Sequence, residues 1–296
     1  MLKFNALSRR GYITRQEKLH WDKITAQTLD ETEAFLKARE IRCVPACSKF
    51  LNRHSGKDHI WSLRNEGGGI FALLFYSGQT LFPVFDYPEL IPAPSFMNRF
   101  LKRIPIHALH GCRKDTDILE YALTERDYRY SDQIDYDLMS LDGEPTREAL
   151  KTGPAGLVLR RPDASDMEAL YLLQAAYEKE EVLPRGIAFN GALCRRSLEH
   201  IISGEHILAA ELDGRIVGKI NTNARSFSRY QIGGVYVHPD YRGRGIAVAM
   251  GAAFARFLAG QGWGLSLFVK KRNTTARAVY RRIGFTMVED YRISYY

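Results

Sequence analysis

One segment constrains this chain more than any other. Gly233-Gly-Val-Tyr-Val-His-Pro-Asp-Tyr-Arg-Gly-Arg-Gly-Ile-Ala247 reads as a strand stopped by Pro239, a turn of alternating arginine and glycine, and a helix that begins at once. The first turn of a helix leaves backbone N–H groups without partners and carries partial positive charge. Glycines let such a turn approach an anion closely, and Arg242 and Arg244 add full charges suited to phosphate oxygens. The segment therefore reads as a cradle for a diphosphate. It lacks the terminal Gly-Lys-Ser/Thr of a P-loop and the spacing of a dinucleotide fingerprint.

The surrounding pattern is a mixed α/β one. Leu157 to Arg161 reads as a strand, and Asp163 opens a helix with Met167, Leu170, Tyr171 and Ala175 at helical spacing. Asn190 to Ser203 reads as a second helix with Leu193, Leu198, Ile201 and Ile202 inward. His206–Leu212 and Arg215–Asn221 form a hairpin about Asp213-Gly214, and Tyr230 to Val237 is the next strand. Gly245 to Leu258 is a helix with Ile246, Met250, Phe254 and Phe257 on one face. Strand Leu265–Val269, helix Asn273–Arg282 and a final strand from Phe285 complete the order β-α-α-β-β-β-α-β-α-β. Gly233-Gly234 inside a strand predicts a bulge, which would splay Tyr230–Val237 from Leu265–Val269 and open a slot.

The Gly/Pro-rich stretch 141–156 reads as a linker, which divides the chain into an α/β domain over 1–150 and a second domain over 151–296. In the first, residues 15–40 read as helical, followed by strands His59–Arg64, Gly69–Tyr76 and Thr80–Phe85, a short strand at His107–Leu109 and a helix at Thr116–Leu123. His59-Ile60, Glu66-Gly67 and Ile70 echo His206-Ile207, Asp213-Gly214 and Ile216-Val217, so the first half is read as a degenerate copy of the second. The run Phe71, Phe75, Tyr76, Phe82, Phe85 and Tyr87 is assigned to core. Cys43, Cys47, His54 and His59 have too short a middle spacer for a zinc finger and are read as thiols and surface or capping histidines, so no metal site is expected.

Arg242-Gly-Arg-Gly-Ile-Ala247 fits the R/Q-x-x-G-x-G/A pattern of the GNAT acyltransferase superfamily, and Asn273-x-x-Ala276-x-x-x-Tyr280-x-x-x-Gly284-Phe285 resembles its second signature. The resemblance spans 157–296 and implies an N-acetyltransferase with a GNAT-type mixed sheet, using acetyl-CoA as acyl donor. It implies that Arg242, Gly243 and the amides of Arg244, Gly245, Ile246 and Ala247 hold the pyrophosphate. Val235, Tyr236 and Val237 would line the pantetheine arm, with the backbone of Val235 and Val237 pairing to it. Asn273 would bond its amide region, and Tyr280 would bind near the thioester and protonate the leaving thiolate. Tyr280 lies about two helical turns beyond Asn273 and shares its face. Many relatives place a carboxylate base beside the strand before the cradle; here Tyr230 and Gln231 stand there, so Glu211, Glu178, Glu180, Glu181, a water-mediated base or none remain open. The first half shows no second cradle motif.

Net charge is +8, with 22 Lys/Arg against 21 Asp/Glu in residues 1–156 and 20 against 13 in 157–296. The basic half suits a polyphosphate ligand, and the absence of a nucleic-acid motif makes nucleic acid the less favoured partner. Four cysteines, no apolar leader and no run of about 18 apolar residues point to a reducing cytoplasm and no membrane. The acceptor is read as a small-molecule, peptide or protein primary amine. A non-catalytic acyl-CoA sensor and a tRNA-dependent aminoacyl transferase are the alternatives.

Overall fold

The computed structural model describes residues 19–53, 58–86, 101, 104–125, 127–184 and 186–296. Residues 15–18, His54 and Tyr87, on which the sequence reading also drew, lie outside the described residues. The first half runs β1 (Leu19–Lys23), α1 (Leu29–Lys37), α2 (Val44–Leu51), β2 (His59–Asn65), β3 (Ile70–Ser77), β4 (Thr80–Phe85), β5 (Ala108–Cys112), α3 (Arg113–Thr124) and β6 (Asp132–Leu141). A short helix α4 (Arg147–Leu150) follows. The second half runs β7 (Val158–Arg160), α5 (Met167–Tyr177), a π-turn Glu178–Val182, α6 (Gly191–Gly204), β8 (Ile207–Leu212), β9 (Arg215–Arg225), β10 (Arg229–Val237), α7 (Ile246–Ala259), β11 (Gly264–Lys270), α8 (Thr274–Ile283) and β12 (Thr286–Tyr295).

All twelve strands join one sheet in the order β1-β2-β3-β4-β5-β12-β6-β11-β10-β9-β8-β7. The order is symmetric about the β12–β6 pair. Each half supplies five strands in sequence, and each lends its last strand to the other: β12 pairs with β5 and β6, while β6 pairs with β11 and β12. Both halves also share a parallel pair that starts and then ends early. β4 meets β5 only at Thr80↔Ala108 and Leu81↔Leu109, and β10 meets β11 only from Arg229↔Gly264 to Ile232↔Leu267. In the first half the divergence coincides with Pro83, which has no N–H to donate, and Phe82 packs edge-on against His110 there at 5.3 Å.

Strand alternation sorts the second core into two layers. Ala210, Leu212, Ile220 and Ile232 pack with α7, whereas Ile207 and Ala209 pack with Leu170 of α5 and Leu198 of α6. Phe75 and Phe85 are fully buried in the first half, with Phe71 and Tyr76 packed against its core. The seam is charged as well as paired. Arg292 of β12 donates to Asp117 (2.8 Å), Glu120 (3.1 Å) and Asp135 (2.8 Å), and Arg229 of β10 donates to Asp142 (2.8 Å).

Four local readings are corrected. Residues 19–23, expected to be helical, form a strand because β2 supplies a full antiparallel partner, and the helix proper starts only at Leu29. The stretch read as a linker contains the end of β6 and α4, whose Ala149 is fully buried in the core that includes α7. Leu193 is 56% exposed because the buried stripe of α6 runs through Cys194 and Leu198. Phe257 is 53% exposed because the inward line of α7 is Met250, Phe254 and Leu258.

Candidate active site

α7 begins where its sequence requires. Gly245 caps it in the left-handed region at φ 78°, and Gly243 shares that conformation. Ala249 N–H bonds Gly245 O at 3.0 Å, so the amides of the first turn have no acceptor within the helix. A β-carbon on Gly245 would stand 2.7 Å from Thr152 Cγ2, which shows how closely the 152–153 segment backs the turn. The concavity in front holds about 510 Å³, lined by Val235, Tyr236, Val237, Arg242, Gly243, Gly245, Ile246, Ala247, Asn273 and Tyr280 among others. Arg244 is not on that wall; its guanidinium bonds Asp240 O at 3.3 Å and lies over the Tyr241 ring.

Behind the cradle, β10 carries the expected bulge. Gly233 faces Asn221 and Tyr236 faces Lys219, so three steps on β10 oppose two on β9. Gly234, at φ 56°, is the residue that absorbs the extra step. Pairing with β11 stops at Ile232, and no described strand occupies the β11 side of Gly233–Val237. A second cavity of about 270 Å³ opens there, bounded by Tyr177, Gln231, Phe268 and Tyr280, and by His110, Tyr136 and Tyr295 from the seam of the halves. The two cavities share Glu181, Val235, Asn273, Ala276 and Tyr280. The slot between the splayed strands is thus a passage from the cradle to the seam.

The groups at that junction are held by one another. Asn273 accepts from Ala276 N–H at 2.9 Å, capping α8, and its amide donates to Glu181 at 3.1 Å. Glu181 also pairs with the buried Lys270 ammonium at 3.1 Å. Tyr280 packs edge-on against Phe285, and burial, with Tyr177 and Glu181 nearby, pushes its phenol well above the usual tyrosine range. Tyr177 is pushed up the same way, and its hydroxyl accepts from Gly234 N–H at 3.3 Å. Both phenols are therefore proton donors at neutral pH.

The other candidate carboxylates are already engaged. Glu180 takes both guanidinium nitrogens of Arg242, at 3.0 and 2.9 Å, and accepts from Tyr236 Oη at 3.1 Å, so Arg242 is tied to the π-turn as well as to Val237 O. That pairing holds Glu180 below the usual carboxylate range. Glu178 accepts from Gln174 at 2.9 Å. Glu211 sits near the far edge of the sheet, bonded to Arg160 at 2.8 Å, and lines neither cavity.

Lys219 escaped sequence reading. It is fully buried on β9, and its Nζ donates to Gly234 O and Asn221 Oδ1, each at 2.9 Å. Burial lowers its pKa to about 7, opposed by Glu178 and Cys194. Only the predicted bulge hinted that something must back it. Tyr177, at the end of α5, carried no motif at all.

Residues 168–285 match the Acetyltransferase (GNAT) family model. No curated protein sequence matches the chain. Among solved structures the chain is similar to a Drosophila protein, 14% identical with a TM-score of 0.65, over 93% of this chain and 98% of that one. It is also similar to a tandem GNAT protein from the clavulanic acid biosynthesis pathway, at 13% identity and TM-score 0.61 over 94% and 98% of the two chains. A GNAT-family acetyltransferase from Colwellia psychrerythraea aligns at 10% identity and TM-score 0.57, over 93% and 98%. Residues 168–285 are thus a GNAT-family domain by the family model, and the N-terminal half repeats the fold.

Proposed function

We propose that the protein is an N-acetyltransferase that moves an acetyl group from acetyl-CoA to a primary amine. The observation that carries this reading is the meeting of two cavities at Tyr280, one fronting the bare amides of α7 and the other opening at the seam. The donor's diphosphate would lie against Gly243, Gly245, Ile246 and Ala247, with its pantetheine arm beside Val235–Val237. The amides of the first turn have no acceptor within the helix, which fits an anion in front of them, and a β-carbon at Gly245 would crowd Thr152 behind the turn and shift it.

The donor supplies an activated acyl group, so the chain need only position, deprotonate and protonate. The neutral amine nitrogen attacks the thioester carbonyl, a C–N bond forms, the C–S bond breaks and the amine loses a proton. Tyr280 Oη, kept protonated by burial, gives its proton to the departing sulfur. Glu181, at the junction of both cavities, is the carboxylate best placed to receive the amine's proton, directly or through water. The four cysteines are all free and buried, which suits a reducing compartment such as the cytoplasm and leaves no thiol for a covalent step.

A free-thiol release assay over a panel of amines tests the reading. Tyr280→Phe is expected to cut turnover by about 10²-fold or more, the lower range for a lost general acid, with little change in donor affinity. Donor binding with no thiol release on any amine would favour a non-catalytic sensor.

A further inference from the structure

We propose that the acceptor is a small monoamine on an apolar, ring-bearing body, seated at the seam where the two halves of the sheet exchange strands. The inference rests on the acetyltransferase reading for the reaction but on the second cavity alone for the ligand. Six of the side chains around that cavity carry rings: His110, Tyr136, Tyr177, Phe268, Tyr280 and Tyr295. Phe268 is fixed by stacking on Tyr291 at 3.9 Å, and His110 lies edge-on to Tyr295 at 6.5 Å. Such walls favour flat or alicyclic bodies, and their faces also attract an ammonium group.

Charge and size weigh against acceptors that bring several charges or several residues into the cavity. The charged residues on the wall are Glu181 and Lys270, which pair with each other at 3.1 Å. His110 adds no charge at neutral pH, because burial, with Lys49 beside it, lowers its pKa to about 4. A polyamine or an amino sugar with several ammonium groups would find one carboxylate, already shared. A phosphorylated acceptor would find one ammonium, already shared. At about 270 Å³ the cavity lies below the roughly 300–1,000 Å³ usual for drug-sized ligands, too small for several residues of a peptide.

One polar group on the wall is unmet. Gln231 is 6% exposed, and its Oε1 has no hydrogen-bond partner among the described residues. An amide in that condition costs free energy until a ligand or water completes it. Gln231 also lines the cavity, so replacing it tests whether its amide reaches an occupant.

Calorimetry with the full chain tests this, using 2-phenylethylamine, tyramine, spermidine and an alanyl tripeptide, each with and without saturating coenzyme A. The ring-bearing monoamines are expected to bind at least tenfold tighter than spermidine or the peptide. Asn223→Trp, at an exposed position on the cavity wall, is expected to weaken them tenfold or more while leaving the fold intact by circular dichroism. Gln231→Leu is expected to erase any preference for tyramine. Tighter spermidine or peptide binding, or ring-amine binding that Asn223→Trp leaves unchanged, overturns the inference. Failure of coenzyme A to bind overturns the acetyltransferase reading instead, and the amine titrations without it still decide this one.

Discussion

Lys219 is the residue whose chemistry depends most on its surroundings. Its buried Nζ holds the carbonyl of Gly234, the residue that opens the slot. An unfolded lysine keeps its proton to about pH 10.4, whereas folded Lys219 releases it near 7. Between those values the unfolded chain binds more protons, so this residue makes stability rise with pH. The thiols of Cys43, through its hydrogen bond with Cys47 and burial, and of Cys112, through burial, are pushed up and act the opposite way once unfolded thiols ionise, near pH 8.5. Asp115, raised to about 7, acts mainly below neutrality. The clean window is therefore pH 7 to 8.5. Thermal unfolding should show Tm rising across it in the natural chain, and flattened in Lys219→Met. An equal rise in both would assign the effect elsewhere. Sequence could not show any of this, because a lysine on a strand reads as a solvent-facing residue until its neighbours are known.

At the scale of elements, legibility followed locality. The strand, turn and helix from Tyr230 to Leu258 were readable because proline, glycine and apolar spacing act within a few residues. β1 was misread because its pairing partner lies some forty residues on, and β6 went unread because its neighbours are β11 and β12. The slot was legible in Gly233-Gly234, but Tyr177 reaches it from the end of α5 and Glu181 from the π-turn that follows, which no spacing announces. The start of α7 gives a sharper prediction. Gly245→Ala puts a β-carbon into the left-handed region, costing about 1–2 kcal/mol, and drives it against Thr152. Chemical denaturation should show that loss, and Thr152→Ser, which removes the crowding Cγ2, should restore part of it. Full restoration would mean that crowding alone was responsible.

For the whole molecule, strand exchange is the governing fact. A cut near residue 150 separates two copies of one element order, yet it removes β6 from between β11 and β12. Residues 157–296 alone would expose the facing edges of β11 and β12, a template for aggregation. Size-exclusion chromatography should find that fragment aggregated or misfolded when produced alone, and recovered as a one-to-one complex when co-expressed with residues 1–156. A soluble, monomeric fragment with native circular dichroism would show that the exchange is dispensable. The exchange also explains why the second cavity is walled by His110 and Tyr136 from one half and Phe268 from the other. Among the described residues no helix is long and apolar enough to cross a membrane.

The account depends most on the cradle at the start of α7, and isothermal titration of acetyl-CoA into the natural chain and into Gly245→Glu tests it directly. Micromolar or tighter binding by the natural chain, abolished when glutamate at the cap of α7 distorts the turn and sets a negative charge beside the bare amides, is the predicted result. Absence of binding by the natural chain, or equal binding by both, would contradict it.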